Sequence, residues 1–169
     1  MRRKAFTLIE LLVVIAIIGL LSSIVLVSMS GVRGKARDAQ RYSDLATVQL
    51  ALEMYYDTNG NYPSTSGTWR TVCNGALDTT TRGTTGATGY IPNLAPTYVG
   101  QLPVDPSGCP TGVNGYAYRS TGTDYKFVVY GTAEEGKLCA TGQKYDDPVT
   151  GRGQTYCAIY TSGTGVNLW

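Results

Sequence analysis

Residues 4–27 read KAFTLIELLVVIAIIGLLSSIVLV, an apolar run interrupted by one carboxylate, Glu10. No other feature of the chain restricts its fold so tightly. The apolar character extends from Phe6 to about Val32. At roughly 1.5 Å per residue, about 27 residues make a helix of about 40 Å, long enough to span a hydrocarbon core of about 30 Å. Ahead of it, MRRKA (1–5) is a short basic tail. A secretory signal peptide fits poorly, because the run is longer than such a segment needs and Glu10 sits where its apolar core should begin. An ionisable side chain in a membrane segment is expensive and is a functional candidate by default. Without any partner, Glu10 could still serve as an acidic helix-start residue at headgroup level, favoured by the helix dipole.

Beyond SMSGVRG the helical pattern resumes in polar form. Leu45, Val48, Leu52 and Tyr55 step by three and four residues and share one face, with Tyr42 extending the stripe backward. Lys35, Arg37, Asp38, Arg41 and Asp44 fall on other faces, and Asn59-Gly60 followed by Tyr62-Pro63 ends the pattern. If the halves are continuous, residues 6–56 form one helix of roughly 76 Å, with Gly31 and Gly34 as its weak points. The expected organisation is a tail at 1–5, an apolar helix half at 6–32, an amphipathic half at 33–56 and a head at 57–169.

The head is rich in Gly, Thr and Tyr and poor in charge, which suits a loop-rich β domain. A connection from about Asp57 to Pro103, with TTTRGTTGAT at its centre, is long enough that a short helix or strand is expected within it. LPVDPSGCP (102–110) then forces turns. GYAYRS (115–120) and DYKFVVYG (124–131) alternate as strands and form a hairpin around TGT; QTYCAIYT (154–161) is a third strand and GKLCAT (136–141) a candidate fourth. Such a sheet has one apolar face, which the Leu45, Val48, Leu52, Tyr55 stripe can cover. The fold class is therefore α+β, a long N-terminal helix packed on a small antiparallel sheet.

The chain has no histidine, so Ser-His-Asp and Cys-His catalysis and histidine-ligated metal are excluded. Its formal charge of +2 depends on Arg2, Arg3 and Lys4; removing residues 1–5 takes three of 14 cations and leaves 11 against 12 acids. Net charge thus gives no argument for a nucleic-acid partner. Arg33, Lys35, Arg37 and Arg41 could meet DNA or lipid headgroups, but Asp38 and Asp44 are interleaved, and a solvated or intersubunit face is the simpler expectation. Cys73, Cys109, Cys139 and Cys157 have no C-x-x-C spacing and suggest two disulfides in an oxidising space, which places residues after about 60 outside the cytoplasm. Four cysteines allow three connectivities. The pairing Cys73–Cys109 with Cys139–Cys157 is preferred because each bridge then tethers one long connection to the sheet.

The run KAFTLIELLVVIAIIGLLSSI closely resembles the N-terminal segment of type IV pilins and type II secretion pseudopilins, and LPVDP (102–106) is similar to a Leu-Pro-x-Asp-Pro turn of major pseudopilins and some pilins. The resemblance implies cleavage between Ala5 and Phe6 by a prepilin peptidase and N-methylation of Phe6. It implies subunit assembly through Glu10, whose carboxylate would meet the new Phe6 amine of a neighbouring copy. Ala5 stands where the family usually has glycine, and residues 20–32 lack the proline many members carry. Asp146 and Asp147 in KYDDPVTGRG are candidate calcium ligands of the kind some pseudopilins use, with a plain polar turn as the alternative.

The implied product is a structural subunit and not an enzyme. It has no cofactor, is a single-pass inner-membrane precursor with its N-terminus cytoplasmic, and polymerises into an extracellular helical homo-oligomer. Its other partners would be the peptidase and a pilus or secretion assembly machinery. The disulfides and the Thr-rich loop favour a type IV pilus as the main expectation, while LPVDP favours the alternative, a major-type pseudopilin of type II secretion. A monomeric membrane-tethered binding domain is the third reading.

Overall fold

The computed structural model describes residues 6–75, 77–78, 80, 82–109, 115–130, 139, 145 and 157–161, without the side chains of 24–30. It divides into two compact units, Met1–Ala36 and Arg37–Trp169. Helix α1, Leu8–Asn59, contributes its first part to one unit and its second part to the other.

In the first unit α1 passes through both Gly31 and Gly34 without a break. Every leucine, isoleucine and valine from Leu8 to Leu21 is exposed, by 46% to 85%. Among the described residues no helix is long and apolar enough to cross a membrane. The transmembrane expectation for 6–32 falls partly outside those residues, since the side chains of 24–30 are not among them, and the tail at 1–5 lies outside them altogether.

In the second unit, α1 is followed by β1 (Arg70–Thr71), β2 (Gly115–Ser120), β3 (Tyr125–Tyr130) and β4 (Cys157–Tyr160). The strands form one antiparallel sheet in the order β1-β2-β3-β4. β2 and β3 pair from Gly115↔Tyr130 to Ser120↔Tyr125 around a turn in which Gly122 has φ 103°, a conformation that a residue with a Cβ rarely adopts. The hairpin expected around TGT is therefore present. The short element expected between 57 and 103 is β1, while GKLCAT lies outside the described residues apart from Cys139. The helix runs to Asn59, three residues past the expected end, and stops at Gly60, whose φ of 70° suits the residue after a helix.

Leu45, Val48 and Leu52 are fully buried against Tyr116, Tyr118, Tyr125, Phe127, Val129 and Ile159, with Tyr55 packed at the edge. The expected stripe thus covers the expected sheet face. Two expectations need correction. Tyr42 does not extend the stripe: it is 39% exposed, with its ring 4.6 Å from that of Tyr145, and the buried position one residue earlier belongs to Arg41. Nor is the second sheet face open, because Ala117, Val128 and Ala158 are buried there with Trp69, Leu77, Tyr130 and Tyr160 packed against them. The small side chains at 117 and 158 let that second layer approach the sheet closely.

Disulfides join Cys73 to Cys109 and Cys139 to Cys157. The first ties the segment after β1 to the connection leading into β2, and the second ties Cys139 to the start of β4.

Candidate assembly site

The start of α1 is organised by Thr7 and Glu10. The Thr7 backbone N–H and hydroxyl donate to Glu10 Oε2 at 2.9 and 2.8 Å, and the Glu10 N–H donates back to Thr7 Oγ1 at 3.3 Å. This reciprocal arrangement is a capping box, in which a threonine before the helix and a glutamate at its third position satisfy otherwise unpaired helix-start donors. The signal was present in the sequence as Thr-x-x-Glu ahead of an apolar run, so Thr7 is a functional residue that the apolar pattern alone did not reveal. Phe6 precedes it and is 82% exposed, while Ala5 lies outside the described residues. Among the described residues Glu10 Oε1 accepts no hydrogen bond, so the carboxylate keeps capacity for a further donor.

In the second unit the polar centre is Arg41, fully buried. Its Nε and Nη2 donate to the two carboxylate oxygens of Asp105 at 2.8 and 2.9 Å, a bidentate pair. Nη1 donates to Asp38 at 2.6 Å and Nη2 to the Ser107 hydroxyl at 2.6 Å. Burial by itself would favour loss of the guanidinium proton, yet the hydrogen bonds and charges of Asp105 and Asp38 outweigh it and raise the Arg41 pKa. Asp105 also accepts the Ser107 N–H at 2.8 Å, and its carbonyl accepts the Gly108 N–H at 2.8 Å. The LPVDP segment is therefore clasped to the helix through its aspartate. Pro103 joins the same clasp, its carbonyl accepting the Tyr90 hydroxyl at 2.9 Å. Arg41 thus departs from the expected solvated or intersubunit cationic face, for it is consumed inside its own unit.

One turn further along α1, Asp44 accepts the Tyr116 hydroxyl at 2.6 Å. Burial raises the Asp44 pKa and the nearby Asp105 charge adds to it, partly offset by the Tyr116 hydrogen bond. Asp146 and Asp147 lie outside the described residues, and among the described residues no group of three or more His, Cys, Asp or Glu could hold a metal.

Comparison with known proteins places the sequence in a family. Residues 1–26 match the prokaryotic N-terminal methylation motif, and residues 28–147 match the type II secretion system protein G family. Over 142 residues the chain is 30% identical to the type II secretion system core protein G of Escherichia coli (strain K12), covering 81% of this chain and 86% of that one. The protein of the same name from Aeromonas hydrophila is 31% identical over 136 residues, 80% and 86% of the two chains. A shorter match to that from Pectobacterium carotovorum is 42% identical over 64 residues, which span 41% of the relative's length. No solved structure matches the chain significantly. These relatives support the secretion alternative better than the type IV pilus that the disulfides and the Thr-rich loop had favoured. By the family match over residues 28–147 and the similarity that spans most of both chains, this protein belongs to the type II secretion system protein G family.

Proposed function

We propose that the chain is the major structural subunit of a type II secretion pseudopilus. It enters the inner membrane as a precursor with its N-terminus cytoplasmic, a prepilin peptidase cuts it before Phe6, and the new amine is methylated. Copies then polymerise through α1 into a helical filament outside the inner membrane. The observation that carries this reading is the continuous exposure of apolar side chains from Leu8 to Leu21 on a helix that bears one carboxylate. Among the described residues nothing covers that surface, and apolar patches of this extent mark membrane or protein contacts. Lipid covers it in the precursor and neighbouring helices cover it in the filament.

Glu10 gives the packing its register. Cleavage creates a cationic amine at Phe6, and two charges brought together in a low-dielectric core each lose a penalty that either would bear alone. The role is mechanical, with no catalytic residues and no cofactor. Deleting the gene should stop export of the host's secreted enzymes and leave pilus-driven surface motility intact. Filaments sheared from cells overproducing the chain should yield a mature N-terminus of methylated Phe6. Intact secretion, or Met1 at the start of filament protein, would refute the proposal.

A further inference from the structure

β1 is a two-residue strand on the outer edge of the sheet, and its end is fixed from two sides. Thr71 Oγ1 accepts the Cys73 N–H at 2.9 Å and donates to the Cys73 carbonyl at 3.1 Å, while Cys73 is bridged to Cys109. Asp78 lies against this edge, its carboxylate accepting the Thr71 N–H. Both of its oxygens have further donors: Oδ1 accepts the Thr80 N–H at 2.9 Å and Oδ2 the Arg82 Nε–H at 2.9 Å. Burial by itself would raise the Asp78 pKa, yet these bonds and the Arg82 charge outweigh it and lower the pKa. The carboxylate is thus ionised and already engaged.

Arg70 is left over. It is half-buried, and among the described residues no acid forms an ion pair with it. Burial and the positive charge of Arg82 lower its pKa, partly offset by Asp78. A charge on an edge strand commonly stays in water and discourages pairing with other strands. That purpose does not account for Arg70, whose Nε is withdrawn from solvent without a hydrogen-bond partner. The withdrawn Nε fixes the guanidinium against the protein, while Nη1 and Nη2 stay solvent-accessible and make no hydrogen bond among the described residues. Two guanidinium groups and one carboxylate leave one positive charge, and the two Nη groups present it as a fork. A carboxylate matches both, with two coplanar oxygens for the fork and one negative charge for the surplus. A phosphate group, which carries more than one negative charge at neutral pH, would exceed it.

We propose that Arg70, with the Arg82 charge adding to its own, is a binding site for a carboxylate group, received by the two Nη groups of Arg70. The residues that form it all lie within one chain, so the inference does not depend on the filament function. Because β1 is anchored through Thr71, Cys73 and the bridge to Cys109, the fork is held in place before the ligand arrives.

The test uses the full chain in a nonionic detergent, with isotope-labelled arginine so that NMR follows the Nε–H resonances of Arg70 and Arg82. Two probes separate the sources of the group: sodium acetate, a dissolved carboxylate, and an end-blocked tripeptide Gly-Glu-Gly, an acidic side chain on a backbone. Titration should move both resonances along a saturable curve in the millimolar range. Tighter binding of the peptide assigns the site to an acidic protein segment and equal binding assigns it to a small acid, and each result upholds the carboxylate site. Arg70→Gln and Arg70→Lys, followed at Arg82, should both weaken binding about tenfold or more with thermal melting unchanged, because lysine keeps the charge and loses the fork. Three results would each overturn the inference: no saturable shift with either probe, an Arg70→Lys variant that binds like the unsubstituted chain, or inorganic phosphate that binds more tightly than acetate.

Discussion

The clasp between Arg41 and Asp105 can be tested by removing its acceptor. Asp105→Ala deletes both bonds of the bidentate pair at 2.8 and 2.9 Å and the acceptor of the Ser107 N–H. Both side chains are fully buried, so solvent screening does not dilute the effect. Removing one partner of a buried ion pair typically costs about 3 to 5 kcal/mol. Here Arg41 retains Asp38 and Ser107, which argues for the lower end, about 3 kcal/mol. For a unit of about 130 residues, 1 kcal/mol corresponds to roughly 3 to 5 °C in Tm, so melting should fall by about 9 to 15 °C. Near-UV circular dichroism of the full chain in detergent is the assay, because the buried tyrosines around the sheet report tertiary packing without interference from the helix signal. The double variant Asp105→Ala with Arg41→Met removes both charges and restores apolar volume, and should recover more than half of the loss. A drop under about 3 °C for Asp105→Ala, the scale of an exposed pair, would refute the reasoning, as would a double variant no better than the single one.

Three further outcomes follow from the same structure. Glu10→Gln retains an acceptor for the capping box but no charge, so sheared filament yield should collapse for Glu10→Gln and fall only slightly for Thr7→Val; equal yields would return Glu10 to a helix-start role. Because burial raises the Asp44 pKa, the folded chain holds that proton to higher pH than the unfolded chain, and the group subtracts stability as pH rises out of the ordinary aspartate range. Asp44→Asn should accordingly raise Tm near neutral pH and not in strong acid, and a gain independent of pH would contradict this. Peptide mapping without reduction should recover Cys73 joined to Cys109 and Cys139 to Cys157. Replacing these pairs should cost about 4 and 3 kcal/mol for separations of 36 and 18 residues, while a Cys73–Cys157 peptide would overturn the pairing.

What the sequence disclosed depended on period. Leu45, Val48 and Leu52 repeat often enough to define a face, and the tyrosines of β2 and β3 alternate, so helix, hairpin and their contact were legible. β1 is two residues long and has no period to read. The second sheet face did leave a trace: Phe127, Val128, Val129 and Tyr130 form a continuous apolar run, which belongs to a strand buried on both sides. Arg41 was illegible for a different reason. A cation among other cations on a helix reads as solvated, and its partner Asp105 is 64 positions away in the chain. LPVDP was visible as a turn, but nothing local says that its aspartate reaches a helix.

Glu10 and Arg41 are the same physical problem with opposite solutions. Each is a charge that the apolar surroundings of its working state would penalise. Arg41 finds Asp38, Asp105 and Ser107 within its own unit, so folding of the head meets its requirement. Among the described residues Glu10 finds Thr7, which occupies one carboxylate oxygen and serves the helix start. On the proposed function its remaining capacity, like the apolar side chains around it, is met by another copy. On that reading the two charges differ in where their partners lie, those of Arg41 within the folded head and that of Glu10 on a neighbouring copy.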